Sequence, residues 1–300
     1  MKSHSDDNWI EDPDLFMAMD DLELVARGVV EGAIHGLHQS PYIGFSVEFD
    51  THRDYQPGDE LRHVNWNLWA KTDRLYVKQF KSDTNLNLYL LIDSSRSMLC
   101  DHGPAPKWRY AARAAASLAY LALGTRDAAG IYLLQDRLAG HVPPRVRPDQ
   151  FAEILAVLQN AEPQGSTNLA RSLEEILHLC RRRGIVVLLS DLFDDDDAVF
   201  RCLDSLRFYG HQVLVMHLLD PWEERLPERG QYEFRDLETG EKLSTHAPAV
   251  RQAYAREVRQ WRQTWKRRCE GSGIDWLPCT TDLPLQRVLV DYILKRSGMD

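Results

Sequence analysis

The sequence predicts an α/β protein built on an open, doubly wound, mostly parallel sheet with helices on both faces, preceded by a small α+β region. Three observations carry that prediction. From residue 86 onward, short apolar runs alternate with longer segments of helical period. The apolar runs are continuous rather than alternating, as in strands covered on both faces. The 300 residues are 44% hydrophobic and 27% charged, which supplies enough apolar material for a core on each side of such a sheet.

The elements follow in order. The opening MKSHSDDNWIEDPDLF is acidic and polar, and is expected to be a loosely ordered tail. It has neither the basic start nor the apolar segment of a signal peptide. Asp20 and Glu23 resemble a capping box, and Leu22, Val25, Val29, Ala33 and Leu37 recur at helical spacing, so a helix is expected over about 20–37. Residues 42–56 alternate partly, and the segment from Pro57-Gly58-Asp59 continues at helical spacing through Leu61, Val64, Leu68 and Trp69. Residues 1–85 are therefore read as one α+β region and 86–300 as the main domain.

In the main domain NLYLLIDSS reads as the first strand, residues 107–125 as a helix and GIYLLQD as the second strand. Helices at about 149–160 and 169–182 lead to the strand IVVLLSD. A helix at 198–209, the strand QVLVMHLLD, a helix at 248–269, the strand IDWLPC and a helix at 284–296 complete the alternation. The insert QYEFRDLETGEKLSTH interrupts it and reads as a hairpin turning at Glu238-Thr239-Gly240.

Composition excludes several functions. A net charge of −9 argues against a whole-molecule basic surface for nucleic acid. No stretch reaches the roughly 20 apolar residues of a membrane span, so no membrane insertion is expected. The five cysteines form no CxxC pair and no disulfide framework, which suits a reducing cytoplasm.

Ligands of open α/β sheets bind beyond the carboxyl ends of the strands, so those loops were read for chemistry. The first strand runs into Asp93-Ser94-Ser95-Arg96-Ser97, a tight turn that can aim a carboxylate and two hydroxyls at one point. The loop Pro163-Gln164-Gly165-Ser166-Thr167-Asn168 offers further hydroxyls, and IVVLLSD ends in Asp191. Oxygen ligands with few carboxylates suit a hard six-coordinate cation that keeps several waters, such as Mg²⁺, with Mn²⁺ or Ca²⁺ as alternatives.

At these residues the chain resembles the von Willebrand factor A domain, whose metal-ion-dependent adhesion site is a DxSxS turn with a Thr and an Asp from later loops. The resemblance implies a metal set of Asp93, Ser95, Ser97, Thr167 and Asp191. It also implies that the hydroxyls touch the ion, the aspartates act mainly through water, and a partner's carboxylate completes the shell. Ser166 is adjacent to Thr167 and can stand in for it.

Ahead of this domain, Tyr55-Gln56-Pro57-Gly58-Asp59-Glu60-Leu61-Arg62-His63-Val64-Asn65-Trp66, followed by Ala70-Lys71, is similar to the YxPGDDxRxIDWxxxAR signature of the DUF58 family. It departs at Glu60, Asn65 and Lys71, and a neutral Asn65 cannot make the ion pair of an aspartate. The motif reads as structural glue or as a partner surface anchored by Trp66 and Trp69. The resemblance implies a short cytoplasmic member, an adaptor or chaperone-like partner of a MoxR-type AAA+ ATPase, and no enzyme activity.

Asp194-Asp195-Asp196-Asp197 reads as a solvated cap favouring the positive end of the next helix. On 254–269, Tyr254, Val258, Trp261, Trp265 and Cys269 form an apolar stripe that leaves Arg256, Arg259, Arg262, Lys266 and Arg267 outside. Cys100-Asp101-His102 reads as a chance cluster. Neither a GxxxxGK loop nor a GxGxxG fingerprint is present. The enzyme alternative is a Mg²⁺-dependent phosphohydrolase with Asp93 as nucleophile. It would need an acid where Ser95 stands, and a lysine for which the sequence offers no obvious candidate.

Overall fold

A computed structural model describes residues 21–39, 52–54, 76–78, 86–165, 168–237 and 240–296. The elements are α1 (Leu22–Gln39), β1 (His52–Asp54), β2 (Tyr76–Lys78), β3 (Asn87–Asp93), α2 (Lys107–Gly124), β4 (Ala128–Leu134), β5 (Leu138–Arg145) and α3 (Gln150–Asn160). They continue with α4 (Leu169–Leu179), β6 (Gly184–Ser190), α5 (Asp196–Phe208), β7 (Gln212–Leu219), the single turn α6 (Pro221–Glu224), β8 (Gln231–Arg235), β9 (Lys242–His246), α7 (Ala247–Gly271), β10 (Asp275–Thr280) and α8 (Leu285–Arg296).

Six strands form one sheet in the order β10-β7-β6-β3-β4-β5, parallel except for β5, which runs antiparallel to β4. Successive side chains of each strand face opposite layers. Leu88, Leu90 and Ile92 of β3 thus join Ile131, Leu189 and Met216 under α1, α2, α3 and α8. Tyr89 and Leu91 join Tyr132, Leu188 and Val215 under α4, α5 and α7. Each fully buried Leu or Ile contributes about 1.5–3 kcal/mol. Along α2 the alanines at 111, 112, 114, 115, 116 and 119 are buried, so this helix lies close on the sheet.

Two elements differ from expectation. β5 carries Gly140, Pro143 and Pro144 and little apolar pattern, which hides it in the sequence; prolines are tolerated there because it is an edge strand. Its pairing with β4 shifts register between Ala129 and Ile131. At Gly130 a Cβ would fall 2.6 Å from both Pro144 N and Val142 O, so only glycine fits. Gly130→Ala is expected to cost about 1–3 kcal/mol through this overlap, read by urea denaturation; unchanged stability would show that the edge strand yields freely. The turn α6 is too short for periodicity to register. The expected hairpin in the insert is present as β8 and β9.

The chain divides into two compact units, one made of the chain up to Leu37 together with Leu86–Asp300, the other His38–Asn85. In the first, Leu22, Val25, Ala26 and Val29 of α1 belong to the same core as β3 and α2. The helix therefore goes with the sheet, not with the 1–85 region expected from the sequence, because its apolar stripe is buried there. In the second unit β1 and β2 pair antiparallel, His52 opposite Lys78. The motif from Tyr55 to Lys71 lies outside the described residues. Among the described residues, no helix is long and apolar enough to cross a membrane.

Candidate metal centre

From the central strand β3 the chain proceeds outward to β4 and β5, then returns to β6 on the other side of β3 and proceeds to β7 and β10. The carboxyl ends of β3 and β6 are thus the point where the winding reverses, the place where open sheets leave a crevice. Asp93 is the last residue of β3, and Asp191 follows the last residue of β6. Both are buried, at 0% and 1% exposure.

Asp93 is held at both oxygens. Its Oδ1 accepts the Ser95 N–H at 3.0 Å and its Oδ2 accepts the Ser190 hydroxyl at 2.7 Å. Ser95 and Ser97 are brought together by the short 3₁₀ turn Arg96–Leu99, their hydroxyl oxygens 2.9 Å apart. Ser94 faces the other way, donating from both N–H and hydroxyl to the Leu134 carbonyl at the end of β4. Burial, and then the neighbouring Asp191 carboxylate, raise the Asp93 pKa above its ordinary value.

Asp191 has a cationic partner that the sequence did not reveal. Lys107, at the start of α2 and 0% exposed, donates from Nζ to Asp191 Oδ2 and to Glu223 Oε1, each at 2.6 Å. Burial alone would lower the lysine pKa, but the two carboxylates override it and raise it. Asp191 Oδ1 accepts the Phe193 N–H at 3.3 Å, and its carbonyl oxygen lies 3.1 Å from His217 Nε2. Burial holds His217 well below its ordinary pKa, so the ring is neutral and donates from Nε2. Leu192 then takes a left-handed φ of 59° to turn the chain out of the site.

The loop ahead of α4 is tied to the serine turn, Gln164 N–H donating to the Ser94 carbonyl at 3.1 Å and Arg96 N–H to the Gly165 carbonyl at 3.4 Å. Thr167 and Ser166 lie outside the described residues. Asp93, Ser95, Ser97 and Asp191 are thus brought to one end of the sheet. The donors fit a hard cation: the two hydroxyl oxygens lie 2.9 Å apart, and Asp93 is held by the Ser95 amide and by serine hydroxyls, whereas the cation Lys107 pairs with Asp191.

The family of proteins of unknown function termed DUF58 matches residues 51–264. The uncharacterized proteins Rv1480 of Mycobacterium tuberculosis and Mb1516 of Mycobacterium bovis are each 30% identical over 295 residues, covering 96% of this chain and 91% of theirs. The chain belongs to the DUF58 family. Among solved structures, BatB from Bacteroides thetaiotaomicron is similar at 14% identity and a TM-score of 0.48, with 71% of this chain and 99% of that one covered. An aerotolerance-related membrane protein from Bacteroides fragilis reaches 16% identity and a TM-score of 0.45, covering 70% and 99%. The sheet of this DUF58 chain is doubly wound and mostly parallel with helices on both faces, the α/β class expected from the sequence.

Other acids of the DUF58 chain have structural work. Asp195 caps α5 by accepting the Asp197 and Ala198 N–H groups, and Asp194 Oδ2 accepts the Leu169 N–H at the start of α4 at 2.6 Å. Asp196 is not a solvated cap: it accepts the indole N–H of both Trp261 and Trp265. The stripe on α7 holds, with Trp265 and Cys269 buried and Arg256, Arg259, Lys266 and Arg267 exposed. Arg262 departs from it, half-buried and paired with Glu224. Lys107 also supplies a lysine beside the acids, which the phosphohydrolase alternative had lacked in the sequence. Its charge is already shared between two carboxylates, and Ser95 still offers no acid.

Proposed function

We propose that this DUF58 chain is a non-enzymatic, metal-dependent protein-interaction module. Ser95, Ser97 and Thr167 would hold a Mg²⁺-class ion directly, with Asp93 and Asp191 acting through water. The bound ion would supply an open position for an acidic side chain of a partner. The observation that carries this reading is the division of labour at the turn. Both aspartates are engaged through hydrogen bonds from the protein, while the Ser95 and Ser97 hydroxyls lie side by side, 2.9 Å apart, at the same turn.

A partner carboxylate replacing one metal-bound water gains a strong charge interaction at a preorganised site, so affinity depends on both the cation and the acid. Among partners, the family resemblance favours a MoxR-type AAA+ ATPase in the cytoplasm. The phosphohydrolase reading is less well supported, because both oxygens of the fully buried Asp93 are occupied by hydrogen bonds.

The test is retention from a cell lysate on the immobilised protein in Mg²⁺, in EDTA, and with Asp93→Ala in Mg²⁺. A partner present in the first sample and absent from the other two is expected. Identical retention in all three would overturn the reading and direct attention to the Pro57–Trp69 motif.

A further inference from the structure

Directly after the serine turn the chain passes through Cys100-Asp101-His102-Gly103 before α2 begins. These residues are placed by contacts from several directions. Cys100 N–H donates to the Ser97 carbonyl at 3.1 Å, and the Cys100 carbonyl accepts the Lys107 N–H at 3.2 Å. His102 N–H donates to Asp220 Oδ2 at 2.7 Å, and the imidazole stacks on Trp222 with ring centres 4.3 Å apart and planes 15° apart. Gly103 lets the loop press against the exits of β10 and β7, since a Cβ there would fall 2.5 Å from Thr281 Oγ1 and 3.1 Å from Pro221 Cδ.

As a result a thiol, an imidazole nitrogen and a carboxylate converge. Cys100 Sγ lies 3.5 Å from His102 Nδ1, and His102 Nδ1 lies 3.6 Å from Asp220 Oδ1. One ligand atom from each of the three residues lies within 4.8 Å of the other two. We propose that Cys100, His102 and Asp220 form a second cation site, distinct from the Asp93 cluster and suited to a soft divalent ion of the Zn²⁺ class.

The donor chemistry separates the two sites. Sulfur and imidazole nitrogen select Zn²⁺-class ions, whereas the hydroxyls and carboxylates around Asp93 suit Mg²⁺. The spacing agrees: Zn–S and Zn–N bonds of about 2.3 and 2.0–2.1 Å at a tetrahedral angle place S and N about 3.5 Å apart. Three protein ligands leave a fourth position open for water or an outside ligand, and the His102 side chain is 45% exposed.

Asp220 also caps α6, its Oδ1 accepting the Trp222 N–H at 2.9 Å. Capping explains the burial of Asp220, but it does not require a thiol and an imidazole beside it. The carboxylate oxygen retains a second lone pair for an ion. The ring stacking on Trp222 fixes the imidazole plane, as partners behind a metal-ligating histidine do. The carboxylates of Glu223 and Asp220 beside the thiol give the cluster negative surroundings that favour a cation. Lys107 is the cation nearby, and its charge is balanced by Asp191 and Glu223.

The test is titration of the untagged full chain with Co²⁺, and with Zn²⁺ in competition, in a buffer containing Mg²⁺. One equivalent of Co²⁺ is expected to bind with a thiolate-to-cobalt charge-transfer band that Zn²⁺ abolishes. Cys100→Ser should remove the band. His102→Ala should weaken binding by at least the roughly 10–100-fold typical of losing an outer-shell partner. Asp93→Ala should leave the band in place, which separates this site from the one under Proposed function. Absence of the band in the parent, its persistence in Cys100→Ser, or its loss in a folded Asp93→Ala would each overturn the proposal.

Discussion

Replacing Lys107 by alanine is expected to destabilise the protein by about 3–5 kcal/mol, the largest effect of any single substitution considered. The cause is what remains rather than what is removed. Asp191 is 1% exposed and cannot recover water when the ammonium is gone, and Glu223 loses its charge partner as well. Asp191 would then face the carboxylates of Glu223 and Asp93 with no positive charge hydrogen-bonded to it. Urea denaturation of the EDTA-treated protein reads the effect. A loss under about 1 kcal/mol, the size of an exposed pair, would mean that water reaches Asp191.

Asp93→Asn is expected to act in the opposite direction in the absence of divalent cations, raising stability by about 1–3 kcal/mol. An asparagine keeps the shape of the side chain and an acceptor for the Ser95 N–H and removes a buried negative charge next to Asp191, and its amide NH2 donates to the Ser190 oxygen in place of accepting from that hydroxyl. The charged form is disfavoured there by burial and then by the neighbouring Asp191 carboxylate. A residue that weakens the fold while sitting at the crevice of an open sheet is what a ligand site requires. Lower stability in the variant would instead mark Asp93 as a purely structural acceptor.

How legible the molecule is from its sequence varies with the kind of signal. The strands β3, β4, β6 and β7 are continuous, largely buried apolar runs, so their pattern names them directly, and the shorter edge strand β10 is still marked by Trp276, Leu277 and Cys279. β5 is not legible because an edge strand with two prolines needs no apolar run. Its existence follows from pairing with β4 at Gly130, a contact between residues that the pattern does not link. At the site, Asp93, Ser95 and Ser97 are readable because they lie within one turn, and Asp191 because it ends a strand. Lys107 escapes notice: it opens a helix 84 residues before its partner Asp191, and only the sheet order brings the two together. Asp220 is hidden from Cys100 and His102 for the same reason. A three-residue cluster with no second ligand in sequence reads as chance until β7 delivers the carboxylate 118 residues later.

The most direct measurement is urea unfolding of the EDTA-treated parent and of Asp93→Asn, each with and without saturating Mg²⁺. A ligand that binds only the native state adds stability by mass action, about 2.7 kcal/mol at 100 times its dissociation constant. The parent is expected to gain stability of that order in Mg²⁺ and Asp93→Asn to gain none, so that the ranking of the two proteins narrows or inverts when the cation is added. Equal responses of the two proteins to Mg²⁺, including no response in either, would contradict a cation site at Asp93.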